Sequence, residues 1–215
     1  MELYVRQLQL GPMENFVYLV GAKDAKETAI VDAAWDVSAA LRAAEADGRV
    51  VTHALVSHHH FDHTNGLPDV LAKGGIRVHV HARDAESLAP EVRGEVARVA
   101  AGDAVEVGPL RIHALHTPGH TPGSTCWHAE GSLFAGDTVF VNACGRCDLA
   151  GGNVEQMFES LGRVSKLPED TRLYPGHDYG DVPVSSVGRE KANNPYFQKL
   201  GNMTDFIAWR MRPRK

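Results

Sequence analysis

Ser57-His58-His59-His60-Phe61-Asp62-His63 is the densest chemical signal in the chain, and its reading decides the fold. His53-Ala54-Leu55-Val56-Ser57 leads into it and reads as a buried strand, so the cluster sits on the loop at a strand's end. In an extended segment, residues i and i+2 point to one side. His58 and His60 can therefore reach a common ion, while His59 faces the other way and reads as packing or as a partner of a ligand. Asp62 and His63 follow where the chain turns and can supply a second ion. Neutral imidazole and carboxylate suit zinc, iron or manganese. A surface histidine tract would look similar in isolation, so the rest of the sequence has to decide.

Three companions follow in order. Thr117-Pro118-Gly119-His120-Thr121-Pro122-Gly123 sets one histidine between two Pro-Gly steps, which specify a stiff loop. Phe134-Ala135-Gly136-Asp137-Thr138 places a carboxylate just after a strand. Tyr174-Pro175-Gly176-His177-Asp178 repeats the arrangement with a histidine. This inventory suffices for two metals. His58, His60 and His120 make a three-nitrogen group; Asp62, His63 and His177 make a second; Asp137 can bridge them. Two-metal hydrolytic sites hold their ions roughly 3.5–4 Å apart and generate hydroxide from water near neutral pH. Asp62 is also placed to hold the attacking water by hydrogen bond.

The 215 residues are 43% hydrophobic and 23% charged, ordinary values for a globular chain, and one domain over residues 1–215 is expected. The formal charge of −5 and the lack of a long basic run give no reason to expect nucleic acid. Arg210, Arg212, Arg214 and Lys215 form a small basic end, expected to be a solvated terminus. No apolar run approaches the roughly 20 residues of a membrane span. The three cysteines, Cys126, Cys144 and Cys147, and the absence of a signal-peptide pattern point to a reduced, cytoplasmic setting.

Strands are expected at Val5–Leu10, Phe16–Val20, Thr28–Val31, His53–Ser57, Ile76–Val80, Ala104–Val107, Arg111–Leu115, Ser124–His128, Ser132–Ala135 and Arg172–Tyr174. Helices are expected at Val37–Ala46, Gly66–Lys73, Ala85–Ala101 with a break at Pro90, Val154–Leu167, Val187–Asn193 and Thr204–Met211. Val139–Gly152 reads as a loop, and 190–215 as a helical tail. Strands and helices mix without strict alternation. That pattern argues for an α+β protein with sheets face to face and helices outside.

The ordered motifs resemble the metallo-β-lactamase fold superfamily, with its H-x-H-x-D-H pattern and later His, Asp and His. The resemblance runs from about Phe16 to Pro195. It implies an αβ/βα four-layer sandwich of two mixed β-sheets with the metals at one edge. Within the superfamily the chain resembles short glyoxalase II-like thioesterases (hydroxyacylglutathione hydrolases) and persulfide dioxygenases. Ala143-Cys144-Gly145-Arg146-Cys147 resembles the glyoxalase II loop, with Arg146 where that family carries a lysine that contacts glutathione. Tyr179 matches a glutathione-contacting tyrosine. Asp148 stands where the family has an aromatic residue, and the resemblance is to short forms expected to lack the family's long C-terminal helical domain. Persulfide dioxygenases share the Cys-Gly-Arg loop and the His-Asp-Tyr run. Their resemblance implies one Fe2+ held at His58, His120 and Asp137. The triple His58-His59-His60 and Asn65-Gly66 look more hydrolase-like.

The expectation is a hydrolase of a small ester or thioester, foremost a glutathione thioester, with two divalent ions (Zn2+ foremost; Fe2+ or Mn2+ also suit the ligands). Arg146 and Tyr179 would hold the substrate, and Asp62 and Asp137 would take part in catalysis. A lactonase and a non-catalytic metal-binding module are the other readings. Oligomeric state is not legible. Asp32 ends a strand beside the cluster, and two roles are open: a bond to a ligand histidine, or an ordinary turn. The C-x-x-C pair Cys144/Cys147 reads as loop packing, and Cys126 as a small core residue. His53, His79, His81, His113, His116 and His128 are assigned no chemistry.

Overall fold

The computed structural model describes residues 1–212; Arg214 and Lys215 of the basic end lie outside the described residues. Two six-stranded mixed sheets pack face to face. The first takes its strands in chain order: β1 (Leu3–Leu10), β2 (Asn15–Ala22), β3 (Glu27–Val31), β4 (Val50–Leu55), β5 (Arg77–His81) and β6 (Val96–Val99). β1 to β3 run antiparallel, and β3 to β6 run parallel. The second sheet is built from β7 (Ala104–Val107), β8 (Leu110–His116), β9 (Thr125–Ala129), β10 (Ser132–Gly136), β13 (Arg172–Pro175) and β14 (Ser185–Ser186). A short ribbon, β11 (Val139–Phe140) with β12 (Ala143–Cys144), lies inside the segment read from sequence as loop.

Alternation along the strands builds the layers. In β2, Phe16, Tyr18 and Val20 face the second sheet, where Trp127, Phe134 and Tyr174 meet them. Val17 and Leu19 point the other way, onto helices α1 (Val37–Ala46) and α3 (Leu67–Lys73). A strand sandwiched between two apolar layers has no polar face, which is why Phe16–Val20 reads as a continuous apolar run. The far face of the second sheet, with Cys126, Leu133 and Leu173, packs on α6 (Val154–Val164), α7 (Val187–Asn193) and α8 (Met203–Arg210). The result is the helix–sheet–sheet–helix sandwich. Asp36 caps α1 by accepting from the Ala39 amide at 2.8 Å, and Val37, Ala40 and Ala44 form its buried stripe. Asn153 caps α6 in the same way, and Met157, Leu161 and Val164 bury beneath it.

Two expectations fail. Ala85–Ala101 is not a helix. It starts at the last residue of α4 (Ala82–Ala85) and runs through α5 (Pro90–Arg93) into β6, which pairs in parallel with β5 at Val78↔Val96 and Val80↔Arg98. The Ala/Glu/Arg composition favours helix, but an open sheet edge offers backbone partners that override local preference. Arg210 is not solvated. It is 7% exposed and donates its Nε–H to the Gly145 carbonyl at 2.8 Å, anchoring the end of α8 to the Cys-Gly-Arg loop. Its neighbour Arg212 lies over the Trp209 ring, 3.6 Å from the centroid. No helix among the described residues is long and apolar enough to cross a membrane.

Candidate metal centre

β3, β4, β8, β10 and β13 all end at one edge of the sandwich, and the sequence motifs sit just beyond those ends. Helix α2 (Phe61–Thr64) then turns Asp62 and His63 back toward the same point. All seven residues singled out from the motifs converge there. Their candidate ligand atoms fall into three overlapping groups, each within 4.8 Å: His58, His60 and His120; His58, His63 and Asp137; and Asp62, His63 and His177. Asp137 faces both ends of the nest. Its Oδ2 is 3.4 Å from His120 Nε2, and its Oδ1 is 3.3 Å from His63 Nε2 and 3.5 Å from His177 Nε2. Gly176 is required beside it, because a Cβ there would lie 2.5 Å from Asp137 Oδ1.

Four of the five imidazoles are held from behind through Nδ1. His63 Nδ1 donates to Asp32 Oδ2 at 2.9 Å, His120 Nδ1 to the Arg146 carbonyl at 2.8 Å, and His177 Nδ1 to the Met13 carbonyl at 2.8 Å. Ser57 Oγ donates to Asp32 Oδ2 at 2.7 Å, which leaves it to accept from His58 Nδ1 at 2.9 Å. These partners fix the tautomer and leave each Nε2 as a bare lone pair directed inward. The nest fits a cation on that ground alone. His58 Nε2, His120 Nε2 and Asp137 Oδ1 are buried with no hydrogen-bond partner, and the lone pairs of His63 Nε2 and His177 Nε2 face each other at 3.1 Å. Buried acceptors left in this state are unfavourable unless a positive charge sits among them.

Electrostatics follow the same lines. Burial, then the neighbouring His63 and His120, drives the His58 pKa well below its ordinary value, so this imidazole stays neutral. Burial would raise the Asp137 carboxyl, yet with no ion in the nest the positive charge that His63, His120 and His177 carry when protonated outweighs it and pulls the pKa down to about 2; a bound cation would take over that role. Burial opposes ionisation of Asp62 as well; His177, His63 and Asn15 overcome it and lower that pKa.

Several contributors were invisible in the sequence motifs. Asn15 Nδ2 donates to Asp62 Oδ2 at 3.1 Å, and the Trp35 indole donates to Asn15 Oδ1 at 2.8 Å. Asp32, left open between two roles, is the carboxylate behind both His58 and His63. It is 3% exposed and sits at φ 55°, a left-handed conformation that aspartate tolerates. His59 faces away from the nest toward Asp84.

A cleft of about 310 Å³ opens over the nest, lined by His60, Asp62, His120, Asp137 and His177 and by the apolar Met13, Phe140, Leu149 and Tyr196. Arg146 and Tyr179 both line it. Tyr179 stacks on the His177 ring at 4.6 Å. The Arg146 fork is already engaged by Asp148, at 2.8 Å through Nε and 2.9 Å through the second nitrogen. Cys144 lines the same cleft and is buried.

Comparisons with known proteins agree with this geometry. The family model for the metallo-beta-lactamase superfamily matches residues 10–177. A hydroxyacylglutathione hydrolase from Rhodospirillum rubrum is 38% identical over 168 residues, covering 77% of this chain and 63% of that protein; the chain thus spans under two thirds of that relative's length. The "Probable polyketide biosynthesis zinc-dependent hydrolase PksB" of Bacillus subtilis is 29% identical over 92% of this chain and 88% of its own. Among solved structures, ETHE1 from Myxococcus xanthus superposes with a TM-score of 0.84 at 30% identity, over 99% of this chain and 92% of that one. Motif order, sandwich architecture and family match agree: the chain belongs to the metallo-beta-lactamase superfamily.

Proposed function

We propose that this chain is a metal-dependent hydrolase of a small thioester, of the glyoxalase II type, with a glutathione thioester such as S-lactoylglutathione as the leading substrate. The observation that carries the reading is the nest of inward-facing imidazole lone pairs with Asp137 between its two halves. The relatives named as hydrolases support the reaction class.

His58, His60 and His120 would hold one divalent ion, Asp62, His63 and His177 a second, and Asp137 would contact both. Ions so placed would supply hydroxide from water near neutral pH and draw charge from the carbonyl oxygen under attack. Zinc is the leading choice. Asp62, kept ionised and oriented by Asn15, accepts a hydrogen bond from the attacking water and aims it at the carbonyl carbon. The apolar wall of Met13, Phe140 and Leu149 limits water around the acyl group. Tyr179 and Arg146 stand at the cleft where the thiol portion of the substrate leaves.

The test is hydrolysis of S-lactoylglutathione by zinc-loaded protein, followed as thiol release, with metal content measured on the same sample. Two zinc ions per chain and steady thiol release support the reading; no release with both ions bound overturns it. The full-length likeness to ETHE1 favours a second reading, a persulfide dioxygenase using one Fe2+ at His58, His120 and Asp137. Oxygen uptake with glutathione persulfide and ferrous iron, absent with zinc, selects that reading instead.

A further inference from the structure

The buried carboxylate of Asp84 takes no part in the chemistry above, yet it is 0% exposed and lies directly behind the nest. It belongs to α4, which follows β5 at the ligand-bearing edge of the first sheet. Its Oδ2 accepts the His59 amide at 3.0 Å and the Thr121 hydroxyl at 2.7 Å, and its Oδ1 accepts the Gly123 amide at 2.6 Å. His59 Nδ1 lies 3.0 Å from the same Oδ2. A Cβ on Gly123 would stand 2.5 Å from Asp84 Cγ, so this loop is shaped around the carboxylate. Burial alone would raise the Asp84 pKa, but the donors from His59 and Thr121 outweigh it and hold the group ionised.

The segments that Asp84 grips are specific. His59 is the residue between His58 and His60, and Thr121 follows His120. The other half of the nest hangs from different supports: Asp32 for His63, the Met13 carbonyl for His177 and Asn15 for Asp62. We infer that Asp84 is a positioning residue for the three-histidine group alone, setting the separation between the His58/His60 loop and the His120 loop, while the Asp62/His63/His177 group is set independently of it. An ionised carboxylate suits this task. It pulls amide and hydroxyl donors from two loops onto one point with charge-assisted bonds, and burial protects those bonds from competing water. A loop shift of a few tenths of an ångström would move His120 off the common point without unfolding either sheet. The inference rests on the metal-holding reading of the nest.

The test is stepwise zinc binding in competition with a chromogenic chelator, on wild type, Asp84→Asn and Thr121→Val, with melting temperature and the visible spectrum of the cobalt-substituted proteins as further readouts. Outer partners of metal ligands are worth about 10- to 100-fold in metal affinity. Asp84→Asn is expected to weaken one of the two zinc equivalents by that factor and leave the other unchanged, with only one cobalt equivalent altered in its spectrum. Thr121→Val, which deletes one donor, is expected to show the same selective effect at smaller size, and it carries the test if Asp84→Asn does not fold. Retention of both equivalents at wild-type affinity, or equal loss of both in folded protein, overturns the proposal. A wild type that binds no ion overturns the metal-centre reading and this inference with it.

Discussion

Asp32 and His63 stand 31 positions apart in sequence and are joined at the bottom of the nest by a 2.9 Å contact between a buried carboxylate oxygen and Nδ1. The same carboxylate reaches His58 through Ser57. One residue therefore orients an imidazole in each half of the site. Asp32→Ala is expected to lower affinity for both metal equivalents by about 10- to 100-fold, in contrast to the one-sided effect expected at Asp84. Chelator competition on folded protein checks this; unchanged affinity for both ions would refute it.

Asp137 directs one carboxylate oxygen to each half of the nest, so Asp137→Ala should be the most damaging single change in the centre. Thiol release is expected to fall by about 10²-fold or more, the scale for losing one group that stabilises developing charge. Bound metal should fall with it. A binding ion stabilises the folded state by an amount that grows with the logarithm of its concentration relative to Kd, so chelator should lower the wild-type melting temperature and lower that of Asp137→Ala much less. Equal sensitivity to chelator in both proteins would contradict the assignment.

The Arg146–Asp148 pair is half-exposed, with side-chain exposures of 43% and 51%, and exposed pairs are worth about 0–1 kcal/mol. It still occupies the fork that a substrate carboxylate would use. Asp148→Ala should lower KM for a glutathione thioester by about 2- to 5-fold, which corresponds to that energy range, with kcat little changed. KM for an uncharged thioester should stay put. A KM that moves equally for both substrates would show that Asp148 acts otherwise.

His79 and His81 are buried residues of strand β5 and have pKa values lowered to about 4 from the ordinary 6.5. Burial is the main cause for each, followed by His53 beside His79 and His116 beside His81. The unfolded chain takes up these protons near 6.5 and the folded chain only near 4. Stability is therefore full above about pH 6.5 and declines toward pH 4, because the unfolded state binds more protons in that window. Melting temperature should fall over this range by roughly 2–4 °C for each kcal/mol lost in a chain of this size. His79→Gln should flatten the decline, as seen by calorimetry from about pH 7 to about pH 4.5. An identical decline in the variant would count against the buried-neutral account.

Much of the candidate centre was legible in the sequence because its candidate ligands sit in short local motifs. His58 and His60 share a side of one extended segment, and His120 and His177 each sit on a Pro-Gly loop after a strand. The apolar run Phe16–Val20 and the helical spacing of Val154–Leu167 likewise gave a strand and a helix where β2 and α6 stand. Residues 85–101 misled because composition speaks for an isolated helix, whereas Val96–Val99 answers to the open edge of β5. Arg210 misled because a basic terminus reads as solvated until a carbonyl, that of Gly145, meets it from 65 positions away.

What the sequence by itself determined is which side chains can ligate, their order, and the strand ends that carry them. Only the tertiary structure decided what stands behind the candidate ligands and their neighbours: Asp32 behind His63, Met13 behind His177, Asn15 behind Asp62, and Asp84 between His59 and Thr121. Spacing along the chain is enforced by covalent geometry and is readable from neighbours. The partner of a buried donor is chosen by which distant segments the packed sheets bring within about 3 Å, and local pattern carries no record of that choice.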